Sequence, residues 1–498
     1  MYAASPANQS TVVGLVRTDE WEASHDFEGK KIALHSMVAV LPRHFMMSVH
    51  LENVTLNEDV IYAKVTRRLI PFLFCCYIVA YLDRVNVGFA KLQMQSDLKF
   101  SDTVYGMGAG IFFIGYFFFE VPSNLIMRRV GARFWIARIM IGWGVISAAT
   151  ALTNGPEVFY GLRFLLGIAE AGFFPGIILY LTDWYPSRRR ARIVAWFMMA
   201  IAAAGLFGGP FSGWILQSFA RVGGLAGWQW LFLLEGLPSM AMGVAVFYYL
   251  DNSISEAKWL TKTEREILLT NLEGEQRAKA HLSVGQTLRN PWVLLFSLIY
   301  FCISMGLYGV GFWLPQIIKN TGVKNALGIG LLAAIPYGCA AVAMILVGRS
   351  SDRTGERRWH FAICALAGGV GLILSTLFPS NVTAAIAALS VATAGILSSF
   401  PLSWTMPTAM LAGSAAAAGI ALINSIGGLA GFVSPYLVGW IGDLTHRLDV
   451  GLYVIAFCLF LGALLVLVVV PVNFAGAIAP KKGTDGPQGR SDTRRVLG

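Results

Sequence analysis

Twelve apolar runs, each close to the roughly 20 residues a helix needs to cross a bilayer, are what this chain has to accommodate. They fall near residues 67–90, 104–126, 134–153, 158–182, 192–218 and 229–250, then near 292–318, 326–348, 360–378, 382–411, 415–440 and 451–474. Backbone amides out of reach of water must bond within their own segment, so such runs dictate helices. The expected fold is an all-α polytopic membrane protein with twelve transmembrane helices in two six-helix pseudo-symmetric halves. Only 13% of the residues are charged, against about 25% in a soluble domain, which excludes a water-soluble enzyme.

Between the two sets, the stretch SEAKWLTKTEREILLTNLEGEQRAKAH carries mixed charges at helical spacing and suits a solvated amphipathic connector. The expected organisation is a largely disordered cytoplasmic tail over 1–63, a first half over 64–250, a cytoplasmic loop over 251–290, a second half over 291–474 and a disordered tail over 475–498. Residues 1 to about 60 contain no signal-peptide pattern, and Met46 or Met47 offers an alternative start.

Basic residues set the expected orientation. The even-numbered connections hold Arg128, Arg129 and Arg133, then Arg188, Arg189, Arg190 and Arg192, then Arg349, Arg353, Arg357 and Arg358. The odd-numbered ones hold only Lys91, Lys99, Arg221, Lys319, Lys324 and Arg447. Positive residues stay inside, so both termini are expected in the cytoplasm of a bacterial inner membrane, and the net charge of +10 reads as topology rather than as affinity for nucleic acid.

The halves echo each other, with GPFSGWI from Gly209 in the fifth run and SPYLVGWI from Ser434 in the eleventh. Such repeats suit transporters that rock two halves around a midplane site.

A charge near the bilayer centre costs at least about 2.5 to 3.5 kcal/mol, so those inside the apolar runs are informative. They are Asp83 and Arg84 in the first, Glu120 in the second, Arg138 in the third, Arg163 and Glu170 in the fourth and Glu235 in the sixth; the second half has none at comparable depth. Arg163 and Glu170 share a helix face but stand about 10 Å apart along it, so each should look to another helix. Asp83 with Arg163, and Glu170 with Arg84 or Arg138, are the natural pairs, and spacing leaves the choice open. Glu120, Arg138 and Glu235 read as internal ion pairs. Asp83, Arg84, Arg163 and Glu170 read as a site: arginine's permanent fork suits anion capture, while a buried carboxyl can change protonation state.

All seven histidines lie in tails, loops or helix ends, so proton coupling is expected to use carboxylates. The second half is expected to add neutral contacts such as Tyr308 and Trp313, or Asn424 and Ser425. No phosphate loop, His-Glu-x-x-His motif or Gly-x-Ser-x-Gly elbow occurs, so neither an enzyme nor a cofactor or metal site is expected, and energy must come from a gradient.

At YLDRVNVGFAKLQM from Tyr81, RFLLGIAEAGFFPGIILYLTDWYPSRRRAR from Arg163 and SDRTGERRWH from Ser351, the chain resembles the major facilitator superfamily, specifically its anion:cation symporter family. The likeness runs from about residue 64 to 474 and is closest to the bacterial tartrate, phthalate and 4-hydroxyphenylacetate permeases. GRSSDRTGER from Gly348 matches the superfamily's Gly-x-x-x-Asp-Arg-x-Gly loop signature, whereas the first-half copy reads NLIMRRVGAR, with Arg128 where the superfamily has Asp. The resemblance implies that Asp83 and Glu170 couple protons and that Arg84 and Arg163 lie near the substrate anion; Tyr308 and Asn424, from the reading of the second half, complete the expected site. GLFGGPFSG from Gly205 approaches an antiporter pattern and leaves exchange or export open. The expected function is proton symport of a small organic carboxylate, tartrate-like or another organic anion, by a monomer working through alternating access. The rivals are an exchanger or exporter of the same fold and a non-transporting membrane sensor.

Overall fold

The computed structural model describes residues 43–276, 289–410 and 414–471; the expectations of disorder for residues 1–42 and 475–498, and the part of the expected connector over 277–288, fall outside these. Residues up to Val60 form one unit and those from Ile61 onward another. A helix begins at Arg43, so the later part of the stretch read above as tail is helical.

Twelve helices are long and apolar enough to cross a membrane. Spans 1 to 6 are Glu58–Asp97, Asp102–Val130, Ala132–Leu152, Pro156–Thr182, Trp196–Ser218 and Gly227–Tyr249. Spans 7 to 12 are Pro291–Asn320, Ala326–Thr354, Arg358–Thr376, Val382–Pro407, Gly419–Thr445 and Leu448–Val469. The unit from Ile61 holds both sets of six.

The halves meet along two pseudo-equivalent seams, span 5 on span 8 and span 11 on span 2. Both seams need backbones to touch. A methyl group built on Gly330 would stand 2.1 Å from the Gly209 carbonyl oxygen, and one on Gly106 would stand 2.3 Å from that of Pro435. The echoed GPFSGWI and SPYLVGWI segments supply these seams, which accounts for their small residues by helix packing.

Span 4 is broken. Pro156–Glu170 and Phe173–Thr182 are separate helices, joined through the non-helical Ala171 at ψ 129° and Gly172 at φ +87°. Pro175 has no amide to continue the ladder, and Gly172 takes a left-handed turn that residues with a Cβ avoid. The first piece therefore ends on Glu170, turning its side chain inward at a helix terminus.

Hydrogen bonds between the halves gather at the end of the bundle that carries the odd-numbered connections. Asp443 of span 11 accepts from the Asp102 amide at 3.0 Å and the Thr103 amide at 2.8 Å, capping the exposed N–H groups at the start of span 2. The Tyr105 hydroxyl donates to the Phe312 carbonyl at 2.8 Å, and the Lys319 ammonium to that of Leu92 at 3.0 Å. Lys91, read above as a loop residue, is instead buried in span 1, paired with Asp102 at 2.7 Å and set over the Trp313 ring at 3.8 Å. Trp313 meets Tyr105 edge-on at 5.2 Å, so it belongs to this closed end.

The connector contains a helix over Lys262–Gln276 that is anchored to the first half: Glu264 accepts from Lys64 at 2.8 Å, and Trp259 stacks on Trp184 at 5.8 Å. The hydrogen bond from Lys64 holds the Glu264 carboxyl below its ordinary range.

Candidate functional site

A cavity lies between the halves, and the helical repeat explains its walls. Span 1 contributes Tyr77, Tyr81 and Arg84, each three or four residues from the next and therefore on one face. Span 2 presents Phe113, Tyr116, Phe117 and Glu120 in the same way, span 7 presents Tyr300, Ser304 and Tyr308, and span 11 adds Asn424, Ser425 and Gly428. Phe113 meets Tyr308 at 4.5 Å, Tyr300 meets Phe400 at 5.4 Å, and Tyr77 meets Phe174 at 5.6 Å, so ring pairs form much of the wall.

Arg84 is the cation that lines this space. Its guanidinium lies within 5.4 Å of the Phe112 ring centre and 5.6 Å of that of Tyr116, and an Nη donates to Glu170 in a buried ion pair. The pairing left open by spacing is thus Arg84 with Glu170. Glu170 reaches Arg84 from behind the cavity wall, at the break in span 4.

Asp83 does not meet Arg163. Its carboxylate accepts from Trp143 Nε1 at 3.0 Å, from Ser147 Oγ at 2.7 Å and from Ser239 Oγ, which ties span 1 to spans 3 and 6. Adjacent residues on a helix point about 100° apart, so when Arg84 faces the cavity Asp83 must face its own half. Arg163 is fully buried over Phe112; its Nε donates to the Gly108 carbonyl at 3.3 Å, and neither Nη has a hydrogen-bond partner among the described residues. It lies outside the cavity lining.

Glu120 faces the cavity and accepts from Asn424 across the gap between the halves at 3.1 Å. The expectation of an internal ion pair is therefore corrected here to a hydrogen bond between halves. Glu235 is buried and bonded to Ser212 of span 5 at 2.6 Å, with no cation paired to it among the described residues. Arg138 is exposed and stacks on Trp135 at 4.7 Å, so it is no partner for Glu170.

Of the residues chosen from the sequence, Arg84, Tyr308 and Asn424 line the cavity; Asp83, Arg163 and Glu170 stand behind it. Tyr77, Tyr81, Tyr116, Tyr300 and Ser304 were missed. Their signal was present, as polar side chains recurring every three or four residues with Arg84, with Glu120 or with Tyr308. Among the described residues no group of three or more His, Cys, Asp or Glu could hold a metal ion.

The model of the Major Facilitator Superfamily matches residues 73–435 and 296–497. A protein of Agrobacterium vitis named "Putative tartrate transporter" is 49% identical over 85% of this chain and 99% of its own length. An Acinetobacter baumannii "Quinolone resistance transporter" is 41% identical over 83% of this chain and 95% of its own. Among solved structures, an inward-facing bacterial homolog of the human lysosomal transporter Spinster has a TM-score of 0.61 at 17% identity, covering 82% of this chain and 95% of that one. The likeness in fold, together with relatives at this identity over nearly their whole length, shows that this multi-pass membrane protein belongs to the Major Facilitator Superfamily of transporters.

Proposed function

We propose that the protein is a proton-coupled symporter of a small organic carboxylate, working by alternating access. The observation that carries this reading is the ion pair of Arg84 with Glu170: the arginine faces the cavity, and the carboxylate holds it from behind. A carboxylate entering the cavity competes with Glu170 for the guanidinium. Once its partner is shared, Glu170 takes a proton more readily, so substrate and proton favour each other's binding. Arg163, buried without an ion-pair partner in reach of its Nη groups, adds positive potential on the same side. Asp83 is the second carboxyl available for coupling, and its three donors join spans 1, 3 and 6, so a change in its protonation would alter how these helices hold together.

The basic even-numbered connections support a bacterial inner membrane with both termini cytoplasmic and the sealed end of the bundle toward the outside. The segment boundaries follow: halves over 64–250 and 291–474, joined by a cytoplasmic loop, acting as a monomer. The name of the Agrobacterium relative supports an organic acid as cargo. That of the Acinetobacter relative favours export as the second reading, which vesicles preloaded with counter-substrate separate from symport.

The test uses proteoliposomes containing Glu170→Gln. Accumulation driven by a pH gradient should be abolished, while exchange of labelled for unlabelled carboxylate persists. Accumulation at the wild-type level would remove Glu170 from the coupling role, and loss of exchange as well would make it structural.

A further inference from the structure

We infer that Glu235, with Asn86 and Ser212, forms a proton-binding site behind the cavity, separate from the pair of Arg84 with Glu170 and loaded from the sealed end of the bundle. The use of that proton in transport rests on the symport reading above; the site itself does not.

Two helices set the site. Span 1 runs toward the sealed end and span 6 away from it, and Ser239 of span 6 donates to Asp83 of span 1. One turn nearer the sealed end lie Asn86, three residues beyond Asp83, and Glu235, four before Ser239, so the helical repeat brings both onto the facing sides. Asn86 accordingly stands beside Glu235. Span 5 completes the site with Ser212, whose hydroxyl donates to Glu235 Oε1 at 2.6 Å, and all of these side chains are buried.

The hydrogen bonds show what is missing. Glu235 Oε2 and both amide atoms of Asn86 have no partner among the described residues, and the charged group that acts on Glu235 is another carboxyl, Asp83. A bare carboxylate here would be buried with no cation, a costly state. A proton on Oε2 removes the charge and lets the carboxyl O–H donate to Asn86 Oδ1, which satisfies two orphaned atoms at once. When that proton leaves to water, Asn86 turns its N–H toward the carboxylate while Ser212 still donates to the other oxygen. An amide serves both states because it carries a donor and an acceptor.

Ser212 also lines a second cavity of about 20 Å³, with Gly208, Gly209 and Tyr337, which is room for one water. This cavity abuts the seam where Gly209 meets Gly330 of the other half. Opening of the sealed end in the proposed cycle parts that seam, so water reaches Ser212 and exchanges the proton of Glu235. In the other direction Ser239, one turn along span 6, leads to Asp83.

The experiment records infrared spectra of the purified full-length protein in lipid vesicles, wild type minus Glu235→Gln, from about pH 5 to about pH 10. Glutamine has the shape, donor and acceptor of the protonated acid, so the variant keeps its bonds to Asn86 and Ser212. The difference should contain the C=O stretch of a protonated carboxyl, moved by D2O and replaced by carboxylate bands as the pH rises. Carboxylate bands at every pH, or an acid band that never titrates, would overturn the inference. Loss of the acid band on adding sodium chloride at constant pH would make this a cation site and overturn it as well. Should Glu235→Gln fail to fold, Ser212→Ala serves: it removes a donor from the carbonyl oxygen and should raise the frequency of the same band, and an unmoved band would refute the assignment. A second measurement follows accumulation of labelled tartrate driven by a pH gradient in the same vesicles. Glu235→Gln should lose it, and undiminished accumulation would remove the site from coupling. No accumulation by the wild type would count against the symport reading, with the infrared titration still deciding the site.

Discussion

The two halves share a fold and divide the chemistry unequally. The first half buries Asp83, Arg84, Glu120, Arg163, Glu170 and Glu235, whereas its counterpart lines the cavity with Tyr300, Ser304, Tyr308, Phe400, Asn424 and Ser425. The seams between them are nonetheless near copies, glycine against backbone in both. Matching seams suit the proposed rocking of the halves, while the buried ion pair of Arg84 with Glu170 lies entirely within the first half. Splitting that pair between the halves would separate its partners at each stroke of the proposed cycle and leave a buried charge unpaired.

The sharpest way to break this division is at Arg84. Arg84→Lys keeps the charge and loses the fork, and affinity for carboxylate should fall by about 30-fold or more, since disrupting a buried hydrogen-bonded charge pair costs about 2 to 5 kcal/mol. Unchanged affinity in direct binding would move Arg84 to a structural role.

The seams come next. Gly330→Ala adds a methyl 2.1 Å from a carbonyl oxygen, whereas Gly142→Ala meets nothing within 4 Å. Overpacking of this kind costs about 1 to 3 kcal/mol, so thermal unfolding should shift clearly for Gly330→Ala and hardly for Gly142→Ala. Equal melting temperatures would show that span 5 does not bear on span 8 as tightly as described.

In the neutral half the effects should be milder. Asn424→Ala removes an amide from the cavity wall, and loss of one hydrogen bond to bound substrate, worth about 1 kcal/mol, should raise KM in uptake assays by about fivefold with the gradient dependence intact. Loss of coupling in this variant would mean that the second half shares the ionic chemistry.

The smallest effect concerns the connector. Lys64→Met removes the partner of Glu264, and a part-exposed pair contributes less than about 1 kcal/mol. Because Glu264 is held below its ordinary range, that contribution is complete at pH values above the unfolded carboxylate's pKa and is lost as the pH falls through the folded one. The difference in melting temperature between wild type and variant should therefore shrink below about pH 4.5. A difference that grows on acidification would contradict the assignment.

Length and hydropathy made the twelve spans legible, because the bilayer's thickness sets one element length for the entire chain. The charges of the site were legible for a related reason: at membrane depth a charge is too costly to be incidental. Their pairing was not. Arg84 with Glu170, and Asp83 with Trp143, Ser147 and Ser239, depend on which helix faces which, and nothing in one helix's sequence carries that. The break at Ala171 and Gly172 was foreshadowed only by Gly172 and Pro175, which membrane helices often tolerate without breaking. Lys91 was misplaced because a lysine beside a short connection ordinarily reaches water, and the aromatic seat formed by Tyr105 and Trp313 comes from two distant spans.

The glycine seams bear on how freely the two halves exchange positions. A seam of long side chains would release many rotamers on parting and freeze them again on closing, at about 0.5 to 2 kcal/mol for each residue. Where Gly209 meets Gly330 and Gly106 meets Pro435, there are few such rotamers to release or recapture. In the proposed alternating-access cycle the entropy of these surfaces would stay nearly level along the stroke, leaving the balance between open and closed forms to a handful of polar contacts and to whatever occupies the cavity.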